Sequence, residues 1–202
     1  MNPIEHAHAG YTASRRTRIL AERFAELVSP NASLLDVGCG DGSLTAQLAQ
    51  RRPDLSVRGT DVLVRPETAI EVTPFDGLHL PDSDQSVDTV MLVDVLHHAD
   101  DPKALLTEAT RVARRHLLIK DHRLEGWFAQ PTLRFMDRVG NARFGVELPY
   151  HYWTETEWFS AFEQLHLQVE SISRSLGLYP GPLGWFFDRG LHFIARLGVG
   201  GP

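Results

Sequence analysis

Three short segments of the sequence combine residue types that can do chemistry. Asp36-Val37-Gly38-Cys39-Gly40-Asp41-Gly42 alternates glycines with acidic residues. Glycines let a backbone turn sharply and come close to a ligand. Asp94-Val95-Leu96-His97-His98 joins a carboxylate to two imidazoles. Histidine titrates near neutral pH, so His98 is a candidate general base. Lys120-Asp121-His122 adds a carboxylate next to an imidazole. Asp121 and His122 can work as an acid-base pair on a substrate, or cap the element that follows. No metal site is expected, because no further ligands stand at a matched spacing from Asp121 and His122. Cys39 is the single cysteine, which excludes an internal disulfide and a cysteine-based metal cluster.

The elements around these segments alternate. Ser14 to Val28 carries Ile19, Leu20, Phe24 and Leu27 at helical spacing. Ser33 to Val37 reads as a first strand, and the glycine turn leads into a helix from Ser43 to Arg51. Leu55 to Asp61 reads as a second strand, a short helical piece starts at Pro66, and Ile70 to Phe75 reads as a third strand. Val87 to Val95 is apolar and β-branched, the pattern of a buried parallel strand. Asp101-Pro102 is a cap with proline at the first helical position, opening a helix to about Arg114. His116 to Lys120 reads as a fifth strand. This alternation predicts a parallel sheet with helices on both faces. The texture changes after Asp121. Thr154 and Glu157 form a capping-box pattern for a helix to about Leu165. Leu167 to Ser175 and Leu191 to Leu197 alternate like strands.

Composition narrows the function classes. The 202 residues suit one domain, and 43% hydrophobic with 23% charged residues is ordinary for a globular chain. A net charge of -6 with no basic face argues against a nucleic-acid partner. Arg111, Arg114 and Arg115 read as the solvated end of a helix. No stretch reaches the roughly 20 apolar residues of a membrane span. No secretory signal is seen at the N-terminus, so a cytoplasmic location and no membrane partner are expected.

The segment from Leu34 to Leu44 resembles motif I of the class I S-adenosylmethionine (SAM)-dependent methyltransferases, small-molecule type, in which an acidic residue precedes Gly-x-Gly-x-Gly. Its third glycine falls one place earlier than in the dinucleotide fingerprint. Asp61 then ends the second strand. Phe75-Asp76-Gly77-Leu78-His79-Leu80-Pro81 resembles the family's Asp-Ala-x-x-Leu-Pro segment, with Gly77 in place of alanine. Ser86-Val87-Asp88-Thr89-Val90 resembles its Phe-Asp-x-Val strand, with Val87 in place of phenylalanine. Asp94 to Pro102 resembles the segment after the fourth strand. The resemblance covers residues 33 to 120 and is generic beyond them.

The resemblance implies a Rossmann-like α/β fold: a seven-stranded, mostly parallel sheet with helices on both faces and its last strand antiparallel. It implies SAM as cofactor, S-adenosylhomocysteine as product and methyl transfer to a small acceptor, by O- or N-methylation. Asp36, Gly38, Cys39, Gly40, Asp61, Val62, Asp76, Gly77, Leu78 and Asp94 are the implied cofactor residues. Asp61 takes the ribose hydroxyls, Val62 covers the adenine face, and Asp76 accepts from the adenine amino group. The division that follows is an N-terminal helical cover (1–31), a SAM-binding core (32–120), substrate-lid insertions (121–153 and 177–190) and a flexible tail (198–202).

Of the four Trp, four Tyr and ten Phe, only Tyr11, Phe24 and Phe75 precede Trp127. An aromatic-rich lid over the sheet edge suits a planar or apolar acceptor; a hydrophobic subcore or a dimer contact explains the same residues. Tyr11, Trp127, Phe144, Tyr150 and Trp185 are the candidate substrate residues, in a monomer or a homodimer. Two rival functions stay open. One is a SAM-fold enzyme doing non-methylating chemistry, which product mass distinguishes. The other is a non-catalytic SAM-binding partner protein, against which the intact Asp36, Gly38, Gly40 and Asp61 count.

Overall fold

The computed structural model describes residues 3–141, 150–179, 181, 184, 187, 188 and 190–200, with the side chains of 3–13 and 139–141 left out. In chain order the elements are α1 (Pro3–Leu27), β1 (Ser33–Val37), α2 (Ser43–Arg51), β2 (Ser56–Asp61), β3 (Val72–Pro74), β4 (Val87–Val93), a 3-10 turn (Leu96–His98), α3 (Pro102–Val112), β5 (Ala113–His122), α4 (Ala129–Asn141), α5 (Glu155–Gln164), β6 (Gln168–Ser173) and β7 (His192–Gly198). The seven strands form one sheet in the order β3-β2-β1-β4-β5-β7-β6. Strands β1 to β5 pair in parallel, and β7 runs antiparallel to both β5 and β6. The Rossmann-like sheet expected from the sequence is therefore present.

The two-residue period of the central strands divides the core. Leu35, Val90, Leu92, Leu117 and Ile119 face α3 and α5, packing on Leu105, Leu106, Val112, Trp158 and Phe162. Their chain neighbours Leu34, Met91 and Leu118 face the other way, with Ile194, onto Leu20 and Phe24 of α1 and Leu48 of α2. Alternate side chains point to opposite faces of a strand, so an unbroken apolar run serves both layers of helices.

Local signals hold at the helix starts. Asp101 accepts from the Ala104 amide at 2.9 Å, with Pro102 opening α3. Thr154 and Glu157 complete the capping box of α5. Three segments depart from expectation, the first being α1, which begins at Pro3 and not at the expected Ser14. No helix follows Pro66; residues 62–71 run as bends. Their backbone is committed to the glycine turn, since the Ala69 amide donates to the Asp41 carbonyl at 2.8 Å and Ile70 packs beside Gly42. Strand β5 outruns the expected His116–Lys120 at both ends. Antiparallel β7 supplies hydrogen-bond partners as far as His122, which pairs with His192. Arg111 is also no merely solvated helix end. It pairs with Glu108 and Asp84 and donates to the Leu80 and Asp82 carbonyls, fixing the loop before β4.

Phe24 has no exposed surface and joins α1 to the sheet. Phe24→Ala should cost about 3–5 kcal/mol through lost burial and the cavity left behind. Urea unfolding measures it, and a loss below about 1 kcal/mol would mean that α1 does not share the cooperative core.

Candidate functional site

The carboxyl ends of parallel strands gather on one edge of the sheet, where open α/β folds bind ligands. Strand β1 leaves its hydrogen-bonded run at Gly38, whose amide donates to the Thr60 carbonyl at 2.7 Å. Gly38 has φ 71°, and a Cβ there would lie 2.5 Å from a Val95 methyl, so no larger residue fits. Gly40 has φ 62° but faces open space, its nearest neighbour being an Arg65 guanidinium nitrogen at 4.0 Å. The turn is thus closed toward the protein at Gly38 and open outward at Gly40.

Asp61 faces this opening. One carboxylate oxygen accepts from the Gly40 amide at 2.7 Å and the other from the Leu63 amide at 2.9 Å. Val62, Leu63 and Val64 follow as three consecutive exposed apolar residues, Val62 being 62% exposed. Gly77 stands against Val62, since a Cβ on it would lie 3.3 Å from a Val62 methyl. Asp76 is exposed; it accepts from the Leu78 and His79 amides and pairs with the His79 ring at 2.8 Å, which holds it below the usual carboxylate range. Asp36 is buried, and the Thr45 hydroxyl of α2 donates to it. Burial pushes its carboxyl up to about 7, with the nearby Asp61 adding to the shift. Cys39 packs on Gly59, and burial, then the charges of Asp36 and Asp61, push its thiol up to about 12, which makes it unreactive. Its contribution to the turn is its backbone.

A second group of polar residues lies at the ends of β4 and β5. Asp94 adopts φ 56°. Its carboxylate accepts from Arg16 of α1 and from Lys120 of β5. Burial works against the Asp94 charge, but these two cations hold its pKa well below the usual carboxylate value. His97 is fully buried, with Nδ1 2.5 Å from Asp121 Oδ1 and Nε2 3.5 Å from Asp137 Oδ2. Burial pulls its pKa down, yet Asp121 and then Asp137 outweigh it and carry it up to about 10. The Tyr152 hydroxyl donates to Asp137. His122 places Nδ1 3.3 Å from His97 Nδ1, and its amide donates to Asp121 Oδ1 at 2.7 Å. The Trp158 indole donates to the His122 carbonyl at 3.0 Å. His98 packs against His97 with ring centroids 3.9 Å apart and the ring planes tilted by 49°; burial, then the charge of His97, lower its pKa to about 4.

The structure therefore sorts the sequence candidates into two neighbouring groups. Asp36, Gly38, Cys39, Gly40, Asp61, Val62, Asp76, Gly77 and Leu78 surround the glycine turn. Asp94, His98, Asp121 and His122 belong to the buried polar group, where Asp121 and His122 are almost wholly withdrawn from solvent. Sequence reasoning missed Arg16, Asp137, Tyr152 and His192 as members of that group. Lys120 and His97 stood in segments already singled out, whereas nothing in the sequence marks Asp137 on α4. Among the aromatic candidates, Trp127 is 89% exposed while Tyr150 and Tyr152 pack near Leu133 and Leu191. The side chain of Tyr11, and Phe144 and Trp185 entirely, lie outside the described residues.

A family model described as a methyltransferase domain matches residues 35–117. The methyltransferase GfsG of Streptomyces halstedii is 34% identical over 113 residues, 50% of this chain and 40% of that protein. The chain spans about two fifths of the length of the first curated relatives it matches. A SAM-dependent methyltransferase from Aquifex aeolicus superposes with a TM-score of 0.62 at 18% identity, covering 90% of this chain and 89% of that one. The mitomycin 7-O-methyltransferase MmcR superposes with a TM-score of 0.63 at 24% identity, over 91% of this chain and 54% of that one.

The buried Asp36 makes a measurable claim. Its pKa is raised on folding, so stability should fall as pH rises from about 4, where the unfolded carboxyl ionises, to about 7, and level off above. Asp36→Asn keeps the hydrogen bond from Thr45 and removes the charge. Relative to wild type it should gain up to about 4 kcal/mol between about pH 4 and about pH 8, read by urea unfolding. An equal difference at both pH values would mean that Asp36 is not held in this buried state.

Proposed function

Because the chain belongs to the class I SAM-dependent methyltransferase family, we propose that it transfers the methyl group of SAM to a small acceptor at an oxygen or a nitrogen. The observation that carries this reading is the open, left-handed Gly40 turn set between the Asp61 carboxylate and the exposed strip Val62-Leu63-Val64. A nucleoside needs these features: a close backbone, an acceptor for its ribose hydroxyls and an apolar surface for its base. SAM, when bound, supplies an electrophilic methyl group on a sulfonium sulfur.

The protein's own part is to bind and to orient. Asp61 keeps lone pairs for ribose hydroxyls beside its hydrogen bond to Gly40. Val62 and the Gly77-Leu78 backbone flank the adenine, and the amide bonds already made by Asp76 fix that loop in place. Asp36 and the start of α2 support the turn from below, toward the methionine portion. Holding donor and acceptor in line supplies much of the rate in such displacements. His98, at the mouth of the buried polar group, is the side chain proposed to meet the acceptor. Asp121 and His122 act behind it, as positioning residues. A small acceptor is favoured by the exposed aromatic residues Trp127, Phe128 and Phe135, and by the small molecule in the name of the mitomycin methyltransferase.

Calorimetric titration of the folded protein with SAM and with S-adenosylhomocysteine should give micromolar binding of both. Asp61→Ala should weaken both by about 10- to 100-fold, the value of one or two hydrogen bonds to a charged acceptor. Absence of binding in a folded sample overturns the reading, and unchanged affinity in the variant removes Asp61 from the ribose site. With cofactor bound, a product in which a methyl group has replaced one hydrogen of the acceptor supports transfer, and a product without that added carbon supports non-methylating chemistry.

A further inference from the structure

Four side chains from three separate places in the chain converge at the ends of β4 and β5. One donor atom each from Asp94, His97, Asp121 and His122 lies within 4.8 Å of all the others. The individual separations are those of a coordination shell. His97 Nδ1 and His122 Nδ1 are 3.3 Å apart, and His122 Nδ1 is 3.5 Å from Asp121 Oδ1 and 3.7 Å from Asp94 Oδ1. Ligands at zinc–nitrogen and zinc–oxygen bond lengths, arranged tetrahedrally, stand about 3.3–3.5 Å from one another. The His97 Nδ1–Asp121 Oδ1 pair, at 2.5 Å, is the one contact that must open.

Hydrogen bonding alone satisfies this group poorly. Two imidazole nitrogens face each other and one carboxylate oxygen. If both carry protons they oppose each other; if one does, a single hydrogen bond serves three atoms. Asp121 Oδ2 is buried with no hydrogen-bond partner among the described residues. A metal cation there takes the place of the proton that His97 holds between Asp121 and Asp137, so the three carboxylates Asp94, Asp121 and Asp137 still face a third cation beside Arg16 and Lys120.

The surroundings also have the form of an outer shell. Ligating histidines usually donate their other ring nitrogen to a carboxylate, and ligating carboxylates are themselves hydrogen-bonded. His97 Nε2 points to Asp137 at 3.5 Å, and Asp137 is held by the Tyr152 hydroxyl. Arg16 and Lys120 hold the two oxygens of Asp94.

We propose that Asp94, His97, Asp121 and His122 bind one divalent transition-metal cation of the zinc class. Two imidazoles favour such a cation over magnesium or calcium, which take oxygen ligands. All four positions come from the protein, three of them buried and Asp94 half-buried, the pattern of a structural site. The cation locks the 3-10 turn bearing His97 and His98 to the end of β5. This departs from the sequence expectation of no metal, which spacing along the chain could not reveal.

The test needs no cofactor and no acceptor, so it stands apart from the methyl-transfer reading. Chelator-stripped wild-type protein is titrated with cobalt(II) and then zinc(II). One equivalent of cobalt should bind, with the visible bands of a four-coordinate centre. Zinc should displace it and raise the melting temperature, and excess magnesium should not compete. X-ray absorption of the zinc form should show imidazole nitrogen and carboxylate oxygen without sulfur. Asp121→Asn and His122→Gln should each weaken binding about tenfold or more, with folding checked by circular dichroism. His166→Ala, a surface histidine away from the site, should bind as wild type does. No uptake by folded wild-type protein, a sulfur-containing shell, or undiminished uptake in both site variants would overturn the proposal. If the variants do not fold, the wild-type absorption spectrum alone decides.

Discussion

The arrangement of the sheet's ligand edge depends on how Asp94 is kept ionised in a place with little water. A carboxylate taken out of solvent costs several kcal/mol unless cations and donors replace the water it loses. Here the replacements come from two separate elements, Arg16 on α1 and Lys120 on β5. Lys120 is itself fully buried and depends on Asp94 for its charge; burial drives its pKa down and Asp94 opposes that. The three residues are therefore mutually conditional. Removing Asp94 strands the buried Lys120 charge, which is more damaging than replacing the pair together.

That dependence fixes geometry around it. Asp94 takes a left-handed backbone, turning the chain out of β4 so that Val95 passes beneath Gly38. The missing Cβ of Gly38 is what lets β1 and the segment after β4 come this close. The glycine turn and the buried polar group are thus adjacent in space, because Val95, which packs on Gly38, is the residue after Asp94. A shift of the 94–98 segment would press on Gly38 and so on the open turn at Gly40. The two groups that the sequence presents as separate motifs form one mechanical unit.

Much of this was legible from the sequence, and the reason is local. Glycine turns, capping boxes and strand alternation are written in residues a few places apart, so Gly38 to Gly42, Asp101-Pro102 and Thr154 to Glu157 announced their elements directly. Strand directions followed from the alternation of helices and strands up to β5. The polar group was only half legible. His97, His98, Asp121 and His122 stood out by type, but their geometry depends on the register of β4 with β5 and of β5 with β7. That register sets Val93 beside Lys120 and His122 beside His192. Arg16 and Asp137 come from helices whose docking no short-range pattern encodes. Pro66 misled because a proline suited to starting a helix serves equally in a bent segment whose amides are needed elsewhere.

The same distinction explains why His97, rather than its neighbour, is the centre of the group. Sequence gives the pair equal standing. In the 3-10 turn successive side chains diverge, and only one of two adjacent residues can point inward. The inward one meets Asp121 and Asp137, whose charges overcome the cost of its burial; its neighbour is driven toward neutrality first by burial and then by the charged ring beside it. Two identical side chains thus acquire opposite electrostatic characters from the direction of one turn. A buried, charged anchor lies behind a neutral imidazole nearer the surface. The anchor is suited to holding the turn.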